Sequence, residues 1–171
     1  TVIFYPDAME TNDLDQLDPQ KYFDRVRKQL AKSEIRTMAL GCFEMDLHQE
    51  SGLWMPHMHF VLKCTCKIKL KMFRKYYSNK RYKNSRPGVV NRPVMIKRIK
   101  NRKNLSGYLC KFEWSRIEHI ERKRKGKIKR VSEKKFLKNV QKRTALKTRD
   151  RLEMSRMRFL YGLRKKGGMI L

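Results

Sequence analysis

Residues 35–62, IRTMALGCFEMDLHQESGLWMPHMHFVL, decide the fold. Apolar residues recur at alternate positions up to His48, the cluster Gln49-Glu50-Ser51-Gly52 signals a turn, and a second strand-like run follows. The two runs read as a β-hairpin. Side chains alternate faces along a strand, so His57 and His59 point together while Met58 and Phe60 point to the opposite, apolar side. On the first strand Glu44, Asp46 and His48 likewise share a face. The hairpin folds that face back beside the histidines, and two imidazoles plus a carboxylate make a three-ligand divalent-metal site with positions open to substrate. A turn centred near Gly52 puts Asp46 opposite Met58, with its carboxylate between the imidazoles. A bulge, or a turn centre at Ser51, brings Glu44 there instead. Both carboxylates are candidates for the third ligand.

Working outward, Val2 to Tyr5 reads as a short strand before Pro6, and an acidic, turn-rich stretch runs to Asp18. Asp18-Pro19 opens a helix, Asp as N-cap and Pro in the first turn, with Tyr22, Phe23, Val26 and Leu30 as its apolar stripe. Beyond the hairpin, residues 69–83 read as a second helix packing through Leu70, Phe73, Tyr76 and Tyr77. Pro93 to Lys100 reads as a strand, and a helix containing Tyr108 starts near Leu105 or Ser106. Strand, helix, hairpin, helix, strand, helix is the order of an α+β fold of ferredoxin-like, RRM-like type, an antiparallel sheet with helices packed on it. After Trp114 the pattern changes to a basic two-stranded ribbon around Lys125-Gly126, then to basic helices between Glu133 and Leu163 with Phe136, Val140, Leu146, Leu152, Met157 and Leu160 as apolar positions. Residues 1–114 are therefore expected as the core and 115–171 as a basic appendage.

Charge sets the class of partner. The chain of 171 residues carries 44 Lys and Arg against 16 Asp and Glu, a formal net charge of +28, far more than solubility requires. That implies a polyanion, and nucleic acid fits better than a membrane, since no apolar run approaches the roughly 20 residues needed to span one. Cys42, Cys64, Cys66 and Cys110 lack the paired C-x2-C spacing of a zinc ribbon and read as reduced, intracellular thiols. The opening TVIFYPD has neither an initiator Met nor a signal- or transit-peptide pattern, so the chain is expected to be a piece of a longer protein.

A second chemical element is GYLCKFEW, residues 107–114. On a helix Tyr108 and Lys111 lie on one face, so the phenol and the ammonium can address one phosphate. Taken together, Trp54-Met55-Pro56-His57-Met58-His59 followed about fifty residues later by Tyr108-Leu109-Cys110-Lys111-Phe112 resembles the HUH endonuclease superfamily, which includes rolling-circle replication initiators of plasmids and single-stranded DNA viruses. Glu44 lies 13 residues before His57, the separation seen in plasmid and phage initiators. The resemblance covers residues 35–114. Phe112 stands where two-tyrosine members carry the second tyrosine, so the chain looks like the single-tyrosine type. Met55 stands where some relatives have a third histidine.

The resemblance implies Mg2+ or Mn2+ on His57 and His59 with Glu44 or Asp46, Tyr108 as nucleophile, and Lys111 orienting the scissile phosphate. It implies single-stranded DNA nicking and rejoining through a 5'-phosphotyrosine, with origin duplex or hairpin DNA as a further partner and no membrane. A helicase domain or host replication proteins would assist, in the cytoplasm or, for a eukaryotic virus, the nucleus. Arg116, Arg122, Lys123, Arg124 and Lys125 are expected to grip DNA beside the nick. A transposase or relaxase would share this chemistry. A non-enzymatic nucleic-acid-binding ferredoxin-like module would share the fold and charge, and a phosphodiesterase using water would share the metal.

Overall fold

The computed structural model describes residues 1–79, 92–99, 105, 109, 113–124, 126–163, 165–166 and 169–170. It is α+β, with helices packed on a mixed six-stranded sheet, consistent with a ferredoxin-like α+β fold. The elements are β1 (Val2–Ile3), α1 (Pro19–Lys32), β2 (Ala39–His48), β3 (Leu53–Leu62), α2 (Lys67–Tyr77), β4 (Ser115–Arg124), β5 (Lys127–Lys135), α3 (Asn139–Arg156) and β6 (Arg158–Tyr161). Two short strands, β7 (Lys165–Lys166) and β8 (Met169–Ile170), pair separately. The sheet runs β1-β3-β2-β4-β5, and β6 also pairs with β2. Among the described residues no helix is long and apolar enough to cross a membrane.

The central hairpin forms where expected, in a register that differs from both alternatives. Phe43 lies opposite Met58, Glu44 opposite His57 and Asp46 opposite Met55. Directly opposed residues of an antiparallel pair share a face. The apolar set Phe43, Met45 and Leu47 can therefore enter the core with Trp54 and Met58 only if odd positions of β2 oppose even positions of β3. An even-length connection, Gln49 to Gly52, provides that parity: His48 pairs with Leu53, and Gly52 at φ +66° accepts the left-handed turn. Asp46 opposite Met58 would have sent its carboxylate into the core.

The core lies on the side of that apolar face. Helix α1 starts as its sequence dictates, the Asp18 carboxylate accepting the Gln20 N–H at 3.0 Å, and buries Tyr22, Phe23, Val26 and Leu30. Tyr22 packs on Phe43 at 5.0 Å between ring centroids and Phe23 on Phe159 at 5.5 Å. Gly41 allows β2 and β3 to close tightly, because a Cβ there would meet the His59 carbonyl oxygen at 2.2 Å and the Phe60 Cβ at 2.4 Å. Gly41→Ala is expected to destabilise the protein by about 1–3 kcal/mol through overpacking, read as a lower thermal midpoint.

Several elements depart from expectation. β1 is only Val2–Ile3, since Pro6 begins a 3-10 turn over Tyr5–Asp7. α2 covers Lys67–Tyr77, and residues 80–83 of the longer helix expected over 69–83 lie outside the described residues. The strand expected over 93–100 shrinks to an isolated bridge from Val94 to Val2, with Thr1 and Met95 exchanging backbone bonds; Pro93 has no N–H to extend the ladder. Leu105 and Leu109 are helical.

The ribbon forms as read, β4 against β5. The segment expected as an appendage is nevertheless built into the sheet. Residues 46–48 of β2 pair in parallel with 115–117 of β4, a departure from an antiparallel arrangement, and residues 39–42 pair with β6. Leu152, Met157 and Phe159 join the core. Along α3 it is Ala145, Thr148 and Leu152 that are buried, while Phe136, Val140 and Leu146 are exposed. Helix α3 has its own break, Glu153 at φ +57°, which turns the chain into β6.

Candidate metal centre

The register places Glu44 across from His57 and Cys42 across from His59, all on the face of the sheet opposite the aromatic core. Glu44, His57 and His59 offer ligand atoms that all lie within 4.8 Å of one another, and this group could hold a metal ion. Glu44 Oε2 is 3.5 Å from His57 Nε2 and 3.8 Å from His59 Nε2. The imidazoles stand edge to face with centroids 4.9 Å apart. Glu44 and His57 are 4% and 5% exposed, so the centre sits below the surface.

The donor set fits a metal on grounds of hydrogen bonding. His57 Nδ1 lies 3.3 Å from the Met55 carbonyl oxygen, which can only accept, so Nδ1 carries the proton and Nε2 faces the carboxylates. His57 Nε2 is buried and makes no hydrogen bond. An orphaned buried ring nitrogen costs about 1–3 kcal/mol, and a metal ion on its lone pair would satisfy it. His59 Nδ1 is 2.8 Å from the Thr1 hydroxyl, and Cys42 Sγ donates to Glu44 Oε1 at 3.3 Å. These outer contacts aim His59 Nε2 and Glu44 Oε2 at the common point. Thr1→Val is expected to weaken Mn2+ binding about 10-fold, with Thr1→Ser close to wild type, measured by calorimetric titration.

Protonation follows from burial and the neighbouring charges. Burial disfavours charge on His57, but Asp46 and then Glu44 outweigh it, and its pKa is raised above the ordinary histidine value. His59 is desolvated, sits beside His57, and is lowered to about 4. Burial pushes Glu44 up, yet His57, whose Nε2 is 3.5 Å away, holds it below the usual carboxylate range. Near pH 6 the metal-free site therefore has His57 as the imidazolium, His59 as the neutral imidazole and Glu44 as the carboxylate. Metal binding at that pH is expected to release close to one proton, not two. Titration in two buffers of different ionisation enthalpy reads that number, and a release near two would contradict the assignment.

Asp46 stands beside this group without belonging to it. Its Oδ2 is 3.7 Å from His57 Nε2, but Lys134 Nζ holds the carboxylate at 2.9 and 3.2 Å, and the Ser115 N–H donates to Oδ1 at 3.3 Å. Of the two carboxylates, Glu44 is the one brought to both imidazoles. Tyr108 and Lys111 lie outside the described residues. Arg116 is tied down by the Glu118 carboxylate and by Gln49, and Arg122 is paired with Glu133; Lys123 is exposed. Arg124 ends β4, and Lys125 lies outside the described residues. Thr1, Cys42 and Lys134 escaped the sequence reading. Only Cys42 left a signal there, two residues before Glu44 on the same face.

Searches of protein-family models, curated proteins and solved structures return no match to this chain.

Proposed function

We propose that the chain is a metal-dependent nuclease and strand transferase of the HUH type, acting on single-stranded DNA through a 5'-phosphotyrosine on Tyr108. The observation that carries this reading is the buried Glu44, His57 and His59 cluster on paired strands at the centre of the sheet. The Tyr108 and Lys111 pair of the sequence and the net charge of +28 support it. Mg2+ or Mn2+, when bound, supplies positive charge to a non-bridging phosphate oxygen, where charge accumulates in the transition state.

The chain's own residues do the rest. Glu44, His57 and His59 would hold the ion, and Lys111 orients the phosphate. The Tyr108 oxygen loses its proton to solvent and forms the new P–O bond as the bond to the 3'-oxygen breaks. That oxygen takes up a proton and leaves as a free 3'-OH. The ester is conserved on the protein, so a later 3'-OH can reverse the step and rejoin the strand. Initiation of rolling-circle replication of a plasmid or virus, in cytoplasm or nucleus and with a helicase and host replication proteins as partners, is the process such chemistry serves. No nucleotide cofactor is needed.

The test is to incubate the protein with pools of single-stranded DNA and Mn2+ and look for a shifted band on a denaturing gel. A covalent adduct is the expected result. Absence of an adduct with every pool would favour a binding module without catalysis, and cleavage with no adduct would favour water as nucleophile. Binding of single-stranded DNA is expected to weaken steeply with salt, as phosphate contacts release counterions; a nearly flat dependence, measured by fluorescence anisotropy, would count against the role of the basic surface.

A further inference from the structure

The ion pair between Asp46 and Lys134 is left over once the metal ligands are assigned. We infer that Lys134 is a substrate-binding residue of this centre, donating a hydrogen bond to a non-bridging oxygen of the scissile phosphate, with Asp46 as the residue that positions it. This rests on the nicking reading above.

The geometry joins the two groups through one carboxylate. Asp46 Oδ2 is 3.7 Å from His57 Nε2 and 2.9 Å from Lys134 Nζ, so the ammonium stands at the rim of the metal centre. The placement is built into the backbone. Lys134 lies opposite Ile117 on the ribbon, Ile117 lies opposite His48 on β2, and opposed residues share a face, so Lys134 falls on the face that carries His48, Asp46 and Glu44. The Ser115 N–H bond to Asp46 stitches the root of the ribbon to the same carboxylate.

Lys134 has capacity to spare. An ammonium has three N–H donors, and among the described residues its partner is Asp46, whose Oδ1 accepts a hydrogen bond at 3.2 Å and whose Oδ2 lies 2.9 Å from Nζ. The side chain is half exposed while Asp46 is nearly buried, so the remaining donor faces outward. The charges also fit. Two carboxylates balance a divalent ion, and Lys134 leaves the centre with one positive charge for the single negative charge of a phosphodiester. The alternative is that Lys134 only neutralises Asp46.

Single-turnover adduct formation with Mn2+ and single-stranded DNA separates the two. Lys134→Met is expected to slow it about 10- to 100-fold with Mn2+ affinity unchanged, and Lys134→Arg to recover most of the rate. If Lys134 served only Asp46, removing the carboxylate would remove the need for it. The double variant Asp46→Asn with Lys134→Met is therefore expected to stay as slow as Lys134→Met. A Lys134→Met rate within twofold of wild type, or a double variant restored to within twofold of wild type, would overturn the inference. Should the wild type form no adduct, the nicking reading fails, and DNA binding in Mn2+ still decides the contact. Loss of one phosphate contact reduces the slope of log affinity against log salt by about 0.7 for a single strand, and an unchanged slope would refute it.

Discussion

Tyr108→Phe is expected to abolish the covalent protein–DNA adduct while leaving Mn2+ binding within twofold of wild type, and His57→Ala is expected to abolish both. The two variants separate because the residues do different work. On the proposed mechanism, removing the Tyr108 hydroxyl deletes the atom that becomes the ester oxygen, and phenylalanine keeps the ring. Removing the His57 imidazole deletes a buried member of the cluster and leaves Glu44 without the contact that lowers its pKa. Replacing even an outer-shell partner of a metal ligand costs about 10- to 100-fold in affinity, so loss of a ligand is expected to exceed about 100-fold. Calorimetric titration with Mn2+ and a denaturing gel measure the pair. Adduct formation surviving in Tyr108→Phe would move the nucleophile elsewhere, and Mn2+ affinity surviving in His57→Ala would remove the cluster as the metal centre.

The second large effect is on stability. Trp54→Ala is expected to destabilise the fold by about 3–5 kcal/mol, lowering the thermal midpoint by about 10 °C for a chain of this size. Trp54 is fully buried, packs on Trp114 with centroids 5.7 Å apart, and donates from Nε1 to the Thr11 hydroxyl at 3.1 Å. Its backbone bonds to Met9 in both directions. One indole thus joins the N-terminal segment, β3 and the residue that leads into β4. Thr11→Ala, which removes only the hydrogen-bond partner, is expected to lose about 1 kcal/mol. Comparable losses in the two variants would show that the hydroxyl, and not the packing of the indole, holds this junction. Circular dichroism melts distinguish the outcomes.

Local elements were readable because local chemistry specifies them. Asp18-Pro19 with apolar residues at 22, 23, 26 and 30 determines where α1 starts and which face it buries. The alternation on both sides of Gln49 to Gly52 determines the hairpin, and Gly126, at φ +74°, stands in the ribbon turn. Even the register was within reach, since two alternating strands can share an apolar face in only one parity. The strand over 93–100 misread because alternation alone says nothing about whether an edge can offer donors, and Pro93 cannot.

The sequence by itself determined the two histidines on one strand face, the pair of carboxylates on the neighbouring strand, the basic charge, and the α+β order of elements. Each follows from side-chain period and composition, which are properties of neighbours along the chain. Tertiary structure alone decided that Glu44 meets both imidazoles while Asp46 turns to Lys134, and that the C-terminal residues close the sheet beside β2. Those choices depend on which of several edges a strand pairs with, and residues as far apart as Asp46 and Lys134 meet only when the whole sheet has formed.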